Sequence, residues 1–421
     1  MVERRRQRPV WARNGREQAV SVKKCIIASD SFKGTISSGE ICCIARECAR
    51  LTAPELELVT IPIADGGEGT ADCFLAACGG VRRELPVTGP FGEPVRASYA
   101  LLPGGTAVIE LAACAGLPLA GKRSDPCRTT TYGVGELMRD ALAHGARRIL
   151  LGLGGSCTND GGCGAAAALG AVFRDAEGRP FVPVGGTLAR IASIDLTGLK
   201  KTMGGVPVAA MCDVDNPLFG PRGAAYVFAP QKGADAAAVR RLDGGLRALD
   251  AAMRRSLGRS AAEQAGAGAA GGFGAGASAF FGGVLLRGID AVLNETGFDR
   301  ALAGCGLVVT GEGRLDEQSL HGKAVSGVAA RAKAAGVPVL ALVGSMEAGA
   351  AEKAREIGVY AVRSINGSGD SSAQAMAHAA ENYRRCISEV FRALHKGALP
   401  GDAASLPEGS MGKNDRYTLK I

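Results

Sequence analysis

Several loops of this chain concentrate side chains suited to handling a phosphorylated ligand. Asp30-Ser31-Phe32-Lys33-Gly34 and Thr310-Gly311-Glu312-Gly313-Arg314-Leu315-Asp316 each combine carboxylates with a cation, and Ala64-Asp65-Gly66-Gly67-Glu68-Gly69-Thr70 adds two more acids. The run Gly152-Leu153-Gly154-Gly155-Ser156-Cys157-Thr158-Asn159-Asp160-Gly161-Gly162 follows an apolar segment at 148–151. Glycines there would let backbone N–H groups converge on an anion, with Ser156 and Thr158 adding hydroxyl donors. A tight turn needing positive φ is the plainer reading, but Asn159 and Asp160 bring more polar groups than a turn requires. In Cys212-Asp213-Val214-Asp215-Asn216-Pro217, two carboxylates two apart at a strand end could share a hard cation. A helix cap or Asx turn before Pro217 is the alternative there. Lys33 and Lys323 could neutralise phosphate charge or sit in structural ion pairs, and His321 reads as solvent-facing.

Other chemistries find less support. Gly116 to Lys122 imitates a phosphate-binding loop, but Arg123 stands where a serine or threonine is needed and Pro118 interrupts it. Gly266-x-Gly268-x-x-Gly271 lies in a Gly/Ala tract without a strand–turn–helix context, which argues against a nicotinamide-dependent oxidoreductase. Neither a Gly-x-Ser-x-Gly elbow nor a Cys-x-x-Cys pair occurs. The inventory of carboxylates, cations and a glycine cradle suits Mg²⁺-dependent phosphoryl transfer, where positioning and charge neutralisation supply most of the rate.

The elements that would position these loops read as buried parallel strands at 25–28, 56–63, 307–310, 337–343 and 359–362, each followed by helix-period sequence. Ser37 and Glu40 form a capping box ahead of a helix that places Ile41, Ile44, Ala45 and Cys48 on one face. A long amphipathic stretch runs through Ala375, Ala379, Tyr383, Ile387, Val390 and Leu394. Between the second and third strands lies a block of different texture, with strand candidates at 107–111, 148–153, 206–211 and 224–228. Two strands before an insertion and three after it predict a doubly wound sheet whose chain leaves and returns. The expected domains are a basic tail without fixed structure at 1–22, a discontinuous domain at 23–79 plus 296–396, an inserted domain at 80–295 and a loose tail at 397–421. With strand order 2-1-3-4-5, the ligand crevice would lie between the loops at 30–33 and 311–316, at the carboxyl ends of the strands.

Composition bounds the setting. Apolar residues are 47% and charged residues 21% of the 421, and glycine is in excess at 62. The net charge of +8 is concentrated in residues 1–24, where eight cations face only Glu3 and Glu17. The nearly neutral remainder argues against nucleic-acid binding. Thirteen cysteines, odd in number, predict a reducing cytoplasm. The uncharged stretch 265–286 holds too much glycine and alanine for a membrane span and reads as a close-packed segment.

Taken in order, the motifs at 30–34, 62–70, 154–162, 212–218 (Cys212-Asp213-Val214-Asp215-Asn216-Pro217-Leu218), 220–225 (Gly220-Pro221-Arg222-Gly223-Ala224-Ala225), 231–234 (Gln231-Lys232-Gly233-Ala234) and 310–316 resemble those of the bacterial class I glycerate kinase family, from about Lys23 to Lys396. The resemblance implies ATP-dependent phosphorylation of D-glycerate to 2-phosphoglycerate in an interdomain cleft. It also implies an α/β architecture: a flavodoxin-like doubly wound parallel sheet interrupted by a second α/β domain similar to the restriction-endonuclease fold. Lys33 or Arg314 would then pair with the glycerate carboxylate, and Asp30 or Asp213 would orient or deprotonate the hydroxyl. Gly154, Gly155 and Ser156 would cradle phosphate, with Asp65, Glu68, Thr158, Asn159, Asp160, Glu312 and Lys323 as further binding residues. Asp213, Asp215 or Asp316 would hold Mg²⁺. The alternatives are 3-phosphorylation, another small hydroxy acid, or a non-catalytic anion or nucleotide sensor. Expected partners are small molecules only, without nucleic acid or membrane. Ser29 stands where the family commonly has proline and Cys157 where it commonly has alanine; the latter predicts sensitivity to thiol reagents.

Overall fold

Short aliphatic runs form the strands of the computed structural model, which describes residues 22–400 apart from Asp65, Glu68, Gln318, Leu320, His321 and Ser368. Most of both expected tails, and the candidates Asp65 and Glu68, therefore lie outside the described residues. In chain order the strands are β1 (Lys24–Ser29), β2 (Glu57–Thr60), β3 (Val81–Thr88), β4 (Pro94–Leu101), β5 (Thr106–Glu110), β6 (Arg148–Gly152), β7 (Val172–Arg174), β8 (Pro180–Phe181), β9 (Ser193–Asp195), β10 (Val208–Met211), β11 (Val284–Leu286), β12 (Leu307–Leu315), β13 (Val339–Met346) and β14 (Ala361–Ser364). The chain divides into two units, Met1–Ile63 with Leu293–Ile421, and Ala64–Val292.

The discontinuous unit holds one sheet in the order β14-β13-β12-β1-β2, parallel throughout. Counting only this unit's strands along the chain gives 2-1-3-4-5. Helices cover the sheet, so β1, the start of β12 and most of β13 read as apolar runs rather than alternating ones. The helix Ser38–Thr52 starts at the expected capping box, where Ser37 accepts from the Glu40 amide and Glu40 reaches back to Ser37 N–H. Its buried face, with Ile41, Ile44, Ala45 and Cys48, packs in one core with Tyr383, Ile387, Val390 and Leu394 of the helix Ala379–His395. The amphipathic stretch is not one helix: it breaks at His378, separating Ser372–Ala377 from Ala379–His395.

The inserted unit has a six-stranded sheet, β11-β10-β6-β5-β4-β3, parallel from β11 to β5 and antiparallel through β4 and β3, with a small sheet β8-β7-β9 beside it. The strand expected at 224–228 is a helix, Ala224–Phe228. Val227 N–H donates to Gly223 and Ala229 N–H to Ala225, burying Ala224 and Ala225 while Tyr226 and Val227 stay exposed. Five apolar residues satisfy either period, so the sequence pattern did not separate the two states. The β3–β4 hairpin escapes the sequence pattern because β3 is an edge strand with three charged residues in eight and carries Pro86.

The first domain boundary falls at 63/64 rather than 79/80, and the second at 292/293 rather than 295/296. The helix Thr70–Cys78 belongs to the inserted unit, where it packs on β4 and β5. Glu110, ending β5, accepts from the amides of Gly69 and Ala71 at 3.3 and 2.7 Å and so anchors that helix by its N-terminus. The Gly/Ala tract is close-packed, as its composition predicts. Its helix Ala269–Phe281 opens with Ala270, Gly271 and Gly272 in left-handed backbone, and a Cβ on Gly271 would stand 2.1 Å from the Thr158 carbonyl. No helix among the described residues is long and apolar enough to cross a membrane.

Candidate active site

The described candidates fall into one cluster in each unit, each at the carboxyl ends of two adjacent parallel strands. In the discontinuous unit, Ser29 ends β1 in register with Gly311 of β12, and Asp30 N–H donates to the Gly311 carbonyl at 2.9 Å. That pairing brings the 30–33 loop beside Glu312, Arg314 and Asp316. Asp30 Oδ1 accepts from Ser31 N–H at 2.7 Å, and Asp316 Oδ1 accepts from the amide and hydroxyl of Ser319 at 2.9 and 3.0 Å. Glu312 is buried at 7% exposure, and its Oε1 has no hydrogen-bond partner among the described residues. Burial pushes its carboxyl up to about 7, Asp30 and Asp316 push the same way, and Ser319 and Lys323 oppose them. The result is a carboxyl that exchanges a proton near neutrality. Lys33 and Arg314 are exposed at the rim, and the Arg314 guanidinium pairs with Glu347 Oε1 at 2.7 Å.

In the inserted unit, β6 and β10 run side by side, with Gly152 in register with Met211, so the 152–162 loop and the 212–217 loop leave the same sheet end. Asp213 and Asp215 are both exposed there, and Asp213 Oδ1 accepts from Gly288 N–H at 2.8 Å. The glycine loop is shaped largely by packing. A Cβ on Gly152 would meet the Gly66 carbonyl at 2.5 Å and one on Gly154 would meet Gly67 Cα at 2.7 Å. Gly154 N–H donates to Gly66 and Cys157 N–H to Ala115, so these two amides are engaged and do not point at an anion. Ser156, Thr158 and Asn159 are buried, and Thr158 Oγ1 and both amide atoms of Asn159 lack partners among the described residues.

Asp160 is fully buried and organises the loop from beneath. It accepts from the amide and hydroxyl of Thr131 and from the amides of Gly162 and Gly164, between 2.8 and 3.2 Å. Burial raises its proton affinity, and these four donors act against that rise. Cys157 is likewise fully buried, and burial pushes its thiol up to about 12. The expected sensitivity to thiol reagents at this position is therefore corrected: an inaccessible, protonated thiol is a poor nucleophile.

Sequence reading gave Lys232 no role. It lies in the short turn Pro230–Lys232, yet it is 2% exposed. Its ammonium donates to Ser156 Oγ and to the Thr158 carbonyl, both at 2.8 Å. Burial lowers its proton affinity to about 8, with Cys157 and Asp160 pulling the other way. A single lysine between Gln231 and Gly233 carries no periodicity that would mark it as buried.

Known proteins place these features. A model of the glycerate kinase family matches residues 25–395. A glycerate kinase of Bacillus cereus (strain ATCC 10987 / NRS 248) is 44% identical over 361 residues, covering 85% of this chain and 94% of that one. The glycerate 2-kinase of Escherichia coli (strain K12) is 40% identical over 325 residues, covering 77% and 85%. A crystal structure named for a glycerate kinase 2 of Salmonella typhimurium LT2 superposes with a TM-score of 0.80 at 40% identity, covering 89% of this chain and 99% of that one. The family match spans nearly all the described residues and both clusters, and the chain belongs to the glycerate kinase family, a family of kinases.

Proposed function

We propose that this kinase transfers the terminal phosphoryl group of ATP to the 2-hydroxyl of D-glycerate, giving 2-phosphoglycerate and ADP, with Mg²⁺, in the cytoplasm. Family membership together with the Escherichia coli relative named as a 2-kinase carries the reading. The thirteen cysteines, odd in number and without a Cys-x-x-Cys pair, support a reducing compartment. In fold terms, the reading takes the discontinuous unit as flavodoxin-like and the inserted unit as similar to restriction endonucleases.

Among the described residues no three His, Cys, Asp or Glu side chains converge as a metal cage. The exposed carboxylates Asp213 and Asp215, two residues apart just after β10, fit Mg²⁺, which keeps several waters and arrives with nucleotide phosphates, needing only one or two protein carboxylates. The exposed pair Asp213 and Asp215 is the first choice for holding it, with Asp316 as the other. When bound, the ion neutralises charge that develops on the transferred phosphoryl oxygens.

The chain's own groups take the remaining work. Gly155, Ser156 and the buried polar atoms of Thr158 and Asn159 bind phosphate, while Gly154 and Asp160 hold the loop in shape. Arg314 or Lys33, both exposed, binds the glycerate carboxylate, which in the case of Arg314 would compete with Glu347 for the guanidinium. Asp30 or Asp213 orients the attacking hydroxyl and accepts its proton, and Glu312 and Lys323 set the charge around Asp30.

The test is ADP release with Mg-ATP and D-glycerate, with the product identified by phosphorus NMR. A 2-phosphoglycerate signal is expected. A 3-phosphoglycerate signal overturns the regiochemistry, and no turnover with any small hydroxy acid overturns the activity.

A further inference from the structure

We infer that Lys232 is a positioning residue for phosphoryl transfer, holding the Ser156 hydroxyl and the Thr158 carbonyl so that the 155–159 loop meets nucleotide phosphate in a fixed shape. The inference rests on the reading of that loop as phosphate-binding.

A lysine with both its stem and its charge out of water is costly unless the ammonium is well used. Lys232 uses it on one loop only: two of its three donors go to Ser156 and Thr158, two residues apart. The two contacts fix a hydroxyl and a carbonyl, which sets the peptide planes between them. Next to this anchor stand Thr158 Oγ1 and the Asn159 amide, buried and without partners among the described residues. Buried polar groups of a native protein are nearly always satisfied, so atoms left over at the end of a sheet mark a place where a ligand or its water completes the set.

The anchor is also held from its own side. Ser124 Oγ donates to the Lys232 carbonyl at 2.7 Å, and a Cβ on Gly233 would meet the Ser124 carbonyl at 2.3 Å. Those contacts leave the turn little room to relax. The titratable groups that act on the ammonium are Cys157 and Asp160, and Glu93 acts in turn on Cys157. Burial raises the proton affinity of both Cys157 and Asp160, so each is a weaker counter-ion than an exposed thiolate or carboxylate would be. The ammonium's direct contacts are two oxygens without formal charge, the Ser156 hydroxyl and the Thr158 carbonyl, and an incoming phosphate would add the charge they lack.

The experiment compares Lys232→Met, Lys232→Gln and Ser156→Ala with the wild type in steady-state kinetics, with Mg-ATP and D-glycerate each varied from pH 6.5 to 9.5. Folding is checked by circular dichroism. For folded Lys232→Met we expect KM for ATP to rise, or kcat to fall, at least tenfold, with KM for D-glycerate moving less than threefold. Lys232→Gln, which keeps a donor, should recover part of the loss. Wild-type kcat/KM for ATP should fall above about pH 8 with the loss of one proton, and this fall should be absent in Lys232→Met. If Lys232→Met does not fold, Lys232→Gln decides: kinetics for ATP within twofold of wild type overturn the inference. Kinetics within twofold of wild type in folded Lys232→Met also overturn it, as does a loss that only tracks the unfolded fraction. If Ser156→Ala leaves KM for ATP and kcat unchanged as well, it is the phosphate reading of the loop that fails. If Ser156→Ala impairs ATP use and Lys232→Met does not, the role of Lys232 alone fails.

Discussion

Gly154 donates its backbone amide to the carbonyl of Gly66 at 3.1 Å, so two glycine-rich turns 88 positions apart touch backbone to backbone. The contact explains why neither segment carries side chains at this point. It also changes what the 152–162 loop is: part of its glycine content serves packing, and the polar tips at 155–159 are what remains for a ligand.

Gly154→Ala should therefore destabilise the protein whether or not substrate is present. The new Cβ would lie 2.7 Å from Gly67 Cα and 3.1 Å from the Gly66 carbonyl, with only backbone to displace. Overpacking of this kind costs about 1–3 kcal/mol. Urea denaturation without ligands checks it, and an unchanged midpoint would mean that the turns separate freely.

Glu312 gives a pH-dependent prediction. Its folded carboxyl titrates near 7 against an ordinary 4.5, so the folded state binds a proton that the unfolded chain has released. Its contribution to stability is complete below about pH 4.5 and is lost as pH rises through 7, roughly 3 kcal/mol over the window. Glu312→Gln should remove that slope. Urea midpoints of both proteins between pH 4.5 and 7.5 measure it; parallel curves would show that the carboxyl titrates normally.

The thiols separate by burial. Cys43 is exposed on the helix Ser38–Thr52, whereas Cys157 and Cys163 are fully buried and burial raises both thiols well above the ordinary value. Brief iodoacetamide treatment of the native protein should label Cys43 and leave Cys157 and Cys163 unmodified, as read by peptide mass spectrometry. Early modification of Cys157 would mean that the loop opens on the labelling timescale.

Much of this arrangement is legible in the chain because local and global signals agree. The five parallel strands are short apolar runs that stop at acid- or glycine-rich loops, and the Ser37–Glu40 box fixes where the first helix starts. The illegible parts depend on distance in sequence. Helix Thr70–Cys78 reads as an attachment to β2, since nothing nearby shows that Glu110 will hold its N-terminus. Asp160 reads as a ligand because its four donors, from Thr131, Gly162 and Gly164, converge only in the fold. The same holds for Lys232, whose partners lie 76 and 74 positions away.

Lys232 closes the set with a prediction that separates its charge from its packing. Its folded titration near 8 lies below the ordinary 10.5, so between these values the unfolded chain holds a proton that the folded protein has lost. Stability from this group therefore rises with pH across that window, by roughly 3 kcal/mol in total. Lys232→Met also removes the hydrogen bonds to Ser156 and Thr158, but that loss changes little with pH. The difference in unfolding free energy between wild type and Lys232→Met follows this titration, because groups that do not act on the ammonium cancel. Measured by urea unfolding at pH 7, 8.5 and 10, the difference should move steadily in favour of the wild type. A constant difference would mean that the ammonium keeps its proton throughout, and that its burial is offset by interactions stronger than two hydrogen bonds to neutral oxygens.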